Sequence, residues 1–81
     1  MSLTLIAVAN RGDAIELTYD KTVGDPEPFV LTVTSQYISS QTSKPLPISA
    51  SDIEAYIAEH AAELKRAAEK CKAKGLTAEA L

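Results

Sequence analysis

Polar and apolar residues alternate most cleanly between Ala14 and Tyr19, where Ile15, Leu17 and Tyr19 oppose Glu16 and Thr18. A period of two marks a half-buried strand. The preceding segment, Leu3 to Ala9, is also apolar and partly β-branched, but its parity switches. Leu3 and Leu5 lie on one face and Ile6 and Val8 on the other, which indicates either a bulge or burial of both faces. Asn10-Arg11-Gly12-Asp13 reads as a turn joining the two strands into a hairpin, with Gly12 free to take positive φ. Asp20 to Pro28 is a polar loop that Gly24, Pro26 and Pro28 keep out of either strand. Phe29, Leu31 and Val33 then resume the period of two, which predicts a third strand.

Ser35 to Ser43 leaves two options open, an extension of the third strand or one short helical turn around Tyr37 and Ile38. Lys44-Pro45-Leu46-Pro47 is extended, because proline disfavours helix in the residue before it. From about residue 51 to 74 the period changes. Ile53, Ile57, His60, Leu64, Ala67, Cys71 and Lys74 recur at alternating spacings of four and three, and Ala61 and Ala68 widen the stripe. Ser51 with Glu54 forms a capping-box pattern, Lys70, Lys72 and Lys74 complement the C-terminal dipole, and Gly75 is placed as the C′ residue. The expected fold is α+β: a small antiparallel meander of about three strands packed on one long C-terminal helix, with a short helix before it as an option. Residues 1–75 form a single domain, and 76–81 a short tail.

Such a helix is about 35 Å long. Strands of five to seven residues reach only about 17–24 Å. The last two turns are therefore expected to pass beyond the sheet, so that Ala67, Ala68 and Cys71 need a further strand, the tail or a second copy to cover them. Composition strengthens this expectation. The chain has 81 residues, no Trp, one Phe and three Tyr, so few large side chains can anchor a core that is small in any case.

Charge and candidate chemistry narrow the picture further. A net charge of −3 gives no general attraction to nucleic acid. One cysteine permits no intrachain disulfide and fits a reducing compartment. No signal-peptide pattern and no apolar run near the roughly 20 residues of a membrane helix is present, so a cytoplasmic location without membrane contact is expected.

His60, the single histidine, lies about 16 Å along the helix from Cys71, too far to share a metal. It reads as a packing residue at the edge of the apolar stripe. Cys71 lies between Lys70 and Lys72, but near a helix C-terminus, and reads as a buried, inert thiol. Arg11-Gly12-Asp13 spells an integrin-binding tripeptide, although a tight turn explains the same residues. Asp20, Asp25 and Glu27 do not have the spacing of a calcium loop. Lys65, Arg66, Lys70, Lys72 and Lys74 spread over about half the helix circumference, as a solvated face does. No catalytic residue, cofactor or metal site is indicated.

Along Asp52 to Gly75, the aromatic Tyr56, then His60, Leu64, the Ala68-Glu69 pair, the basic run and Gly75 resemble the C-terminal helix of a family of very small bacterial proteins of unknown function. The resemblance implies a β-hairpin, a short helix and then the long helix, which favours the helical option for residues 35–43. It brings no activity with it. The expectation is therefore a non-enzymatic, self-associating interaction module, a homodimer or a binder of another protein, with Tyr56, His60, Leu64, Ala67 and Cys71 as the candidate interface. The alternatives are a nucleic-acid-binding accessory or regulator using the basic helix end, and an enzyme or enzyme subunit centred on His60.

Overall fold

The computed structural model describes residues 3–20 and 27–81. Three strands, β1 (Leu5–Asn10), β2 (Ala14–Tyr19) and β3 (Phe29–Thr34), are followed by three helices and a last short strand. The helices are α1 (Ser35–Thr42), α2 (Ala50–Glu59) and α3 (Ala61–Ala73), and the strand is β4 (Ala78–Ala80). The sheet order is β1-β2-β3-β4. The first three strands are the expected antiparallel meander. β4, however, adds a fourth strand parallel to β3, so the sheet is mixed. A parallel neighbour needs a crossover, and the three helices supply it.

The alternation in β2 and β3 decides which face is covered. Ile15 pairs with Val33, Leu17 with Leu31 and Tyr19 with Phe29, and all six are buried. Leu3, Ile38, Ile48, Ile53, Tyr56, Ile57, Leu64 and Ala68 complete the core. The hairpin closes on the Arg11 N–H bond to the Ala14 carbonyl (2.7 Å), with Gly12 at φ +92° and its N–H on Asn10 Oδ1 at 2.9 Å. The parity switch in β1 is a bulge. Leu5 pairs with Tyr19 and Ala7 with Thr18, leaving Ile6 as the extra residue.

Residues 35–43 resolve as helix. Thr34 caps α1 by accepting the Tyr37 N–H (3.2 Å), and Ser43 ends it in the left-handed region at φ +61°.

The long helix departs from expectation at two points. It starts earlier, with Ser49 rather than Ser51 as N-cap, its hydroxyl accepting the Asp52 N–H at 3.2 Å. Ile48 and Ile53 then stand at the two positions of a hydrophobic staple, both buried, an arrangement that a cap at Ser51 would forfeit. The helix is also divided at His60, which takes φ −113° and ψ +19°. Its Nδ1 lies 3.0 Å from the Tyr56 carbonyl that already accepts its own N–H, and a side chain inserted into the ladder bends a helix. The C-terminus ends as expected. Gly75 has φ +85°, its N–H bonds the Lys72 carbonyl, and the Leu76 N–H bonds the Cys71 carbonyl, which together make a Schellman motif.

Past that turn the chain doubles back. Residues 76–81, read from sequence as a tail outside the domain, carry β4 and place Leu81 against the core. Leu81 donates its N–H to Thr32 O (2.8 Å), and its carbonyl accepts from Thr34 Oγ1 (2.9 Å). The overhang predicted from helix length is thereby covered from within the chain. Ala68 is fully buried and α3 contacts both β3 and β4.

Candidate functional site

The residues picked from the helix stripe do not form an open surface. Tyr56 and Leu64 are core residues, 6% and 3% exposed. Ala67 and Cys71 are half-buried, and Glu79 of β4 lies over the thiol, its Oε2 3.6 Å from Sγ. His60 stacks on the Tyr56 ring with centroids 4.1 Å apart and 20° between planes. With Nδ1 on a backbone carbonyl, it is a packing residue at the bend. No group of three or more His, Cys, Asp or Glu that could hold a metal occurs among the described residues.

The other sequence candidates disperse as well. Arg11 bonds Glu16 on the neighbouring strand through Nε (3.1 Å) and pairs with it at 2.9 Å, holding the turn. Of the three loop carboxylates, Asp20 and Glu27 are exposed and Asp25 lies outside the described residues. In the basic run, Arg66, Lys70 and Lys74 are exposed while Lys65 and Lys72 are half-buried. Glu69, among them, reaches back to accept the Leu3 N–H at 3.0 Å.

Burial raises the Cys71 thiol above its ordinary value, the Glu79 carboxylate pushes the same way, and Lys74 opposes them. Burial likewise raises Tyr19, helped by Glu69, and Tyr56, helped by Tyr37 and Glu63. A group whose pKa is raised by folding stabilises the fold below its unfolded value and loses that contribution as pH rises through the folded one. Unfolding free energy is therefore expected to hold steady to about pH 8.5 and to decline above about pH 9 to 10. Urea titrations across pH 7 to 11 check this, with Cys71→Ser delaying the onset.

What stands open is the other end of the sheet. Among the described residues, five large apolar side chains are exposed, and three of them, Leu5 (40%), Ile6 (54%) and Val8 (51%), lie on β1. β1 is an edge strand, and Leu3 to Asn10 contains no charged residue and no proline. Natural edges are normally protected by such residues. The Arg11–Ala14 bond also sets the phase of the β1–β2 ladder. Bonded and non-bonded pairs alternate from it, so Ala9 and Ala7 bond to β2 while Val8 and Asn10 aim their N–H and C=O groups outward.

Beside this edge, β1, β2 and the α2–α3 bend enclose a groove of about 310 Å³. Leu3, Leu5 and Tyr19 line one side and Ile57, Ala61 and Lys65 the other. The chain matches no protein-family model, no curated protein and no solved structure. The functional reading therefore rests on this geometry. The sequence signal for the edge was present in the uncharged, two-faced run Leu3 to Val8. Its meaning depended on β1 lying at the border of the sheet rather than inside it.

Proposed function

We propose that the protein is a non-enzymatic interaction module that self-associates through the β1 edge. The observation that carries the reading is the combination, on one strand, of outward-facing backbone groups and three exposed apolar side chains without a protecting charge. Contiguous apolar surface of this kind marks interaction sites. The Ala67–Cys71 face of α3 packs against β4 and the core, which leaves the sheet edge as the surface for a partner.

Sedimentation velocity across a micromolar concentration series tests the reading. The expected result is a mass that rises with concentration toward that of two chains. Val8→Lys, which puts a charge on the edge without touching the core, is expected to hold the protein monomeric with unchanged circular dichroism. A wild-type chain that stays monomeric at several hundred micromolar would remove self-association from the proposal.

A further inference from the structure

We infer that two copies pair β1 to β1, antiparallel, about a two-fold axis through Val8, so that both four-stranded sheets continue as one. This rests on the self-association proposed above and names its geometry. In an antiparallel ladder, residues facing each other share the same bonding phase. Val8 and Asn10 point their backbone groups outward, so Val8 facing Val8 of the second copy exchanges both N–H···O=C bonds. Around that centre the sequence Ala7-Val8-Ala9 reads the same in both directions. Each Ala7 then faces an Ala9, and no bulky or charged side chain meets its like on the helix-free face, where the Thr18 and Glu16 partners place both alanines.

The bulge limits the alternatives. Pairing is regular only from Ala7 onward. A centre at Ala7 draws the irregular Leu5–Ile6 segment deep into the new ladder, whereas a centre at Ala9 draws in the Arg11–Gly12 turn. A centre at Val8 stays clear of both better than either neighbour. The occupant is a second copy, because the edge offers an uncharged strand whose local sequence is symmetric about its own most central exposed residue. A two-fold axis normal to the sheet leaves both helical layers on the same face. The groove of each copy then borders the seam, and Leu5 and Val8 of the two copies form a shared apolar floor.

Cysteine pairing separates the registers. Ala7 and Ala9 sit in the non-bonded phase of the proposed seam, where facing Cα atoms are about 4.5 Å apart and a disulfide fits. Two variants, Ala7→Cys and Ala9→Cys, each with Cys71→Ser, are oxidised separately and as an equal mixture at a concentration where the wild type is associated. Intact mass spectrometry then identifies the products. The expected result is a mixed disulfide in the mixture and loss of it when Val8→Lys is added to both chains. Homodisulfides of Ala9→Cys alone, or of Ala7→Cys alone, move the axis to that residue and overturn the proposed register. Absence of any disulfide from chains that sedimentation shows to be associated overturns the β1 pairing but leaves self-association standing. Monomeric wild type overturns both.

Discussion

Leu31→Ala is expected to lower the unfolding free energy by about 2–5 kcal/mol, the range for truncating a fully buried leucine. Leu31 has no exposed surface and sits at the centre of the sheet, opposite Leu17 on β2 and Glu79 on β4. A cavity there has neighbours on three strands and beneath the helices, so collapse into it is restricted. The whole domain has a margin of about 5–15 kcal/mol, and a chain of this size belongs near the lower end. The variant should therefore lose a large part of its stability. Urea titration reads it as a lower midpoint at unchanged slope. Leu46→Ala provides the contrast, because Leu46 is 51% exposed and its loss is expected to cost less than about 0.5 kcal/mol. Equal losses for the two would show that the core does not lie where these burial values place it.

The same core residues mark what could be read from sequence and what could not. Ile15, Leu17 and Tyr19 announced their strand and its buried face because the period of two is a local property. So did Gly75, where a positive φ is needed at a helix end whatever the helix packs on. The bulge at Ile6 was legible as a parity switch. β4 was not legible, since Ala78-Glu79-Ala80 has none of the β-branched or aromatic residues that favour strands. It is a strand only because β3 offers a free edge and α3 delivers the chain beside it.

The bend at His60 was hidden for a related reason. Alanine and glutamate on both sides carry the helical period straight through, and only the contact of the ring with the Tyr56 carbonyl interrupts it. These two features decide where the open surface lies. An unbroken helix overhanging a three-stranded sheet leaves Ala67 and Cys71 bare. A bent helix with a returning strand covers them and leaves β1 as the unprotected element. The candidate surface therefore depended on global topology, which local patterning does not encode.

Removing residues 76–81 should accordingly do more than trim an end. Besides the β3–β4 ladder itself, four hydrogen bonds tie this segment to β3: Val30 N–H to Thr77 O, Leu81 N–H to Thr32 O, and Thr34 N–H and Oγ1 to Leu81 O. At roughly 0.5–1.5 kcal/mol each their loss amounts to about 2–6 kcal/mol, before the cover over Leu31 and Ala68 is counted. Urea titration should show this loss, and Cys71 gives an independent local reading. In the full chain the thiol is held up by burial and by Glu79, so little thiolate is present near neutral pH and labelling by a disulfide reagent is slow. Without the segment the Glu79 carboxylate is gone and the thiol loses the cover of β4, so labelling at pH 7.5 is expected to accelerate. Global unfolding would accelerate it too, so Glu79→Gln serves as the discriminating variant. It keeps β4 and its backbone bonds, removes the negative charge beside Sγ, and should label faster than the wild type but slower than the shortened chain at nearly full stability. If Glu79→Gln and the wild type label alike while the shortened chain labels fast, the carboxylate does not protect the thiol, and the urea midpoint of the shortened chain separates loss of the β4 cover from global unfolding. If all three label alike, β4 does not cover α3, and the overhanging helix face becomes available again as a surface for a second copy.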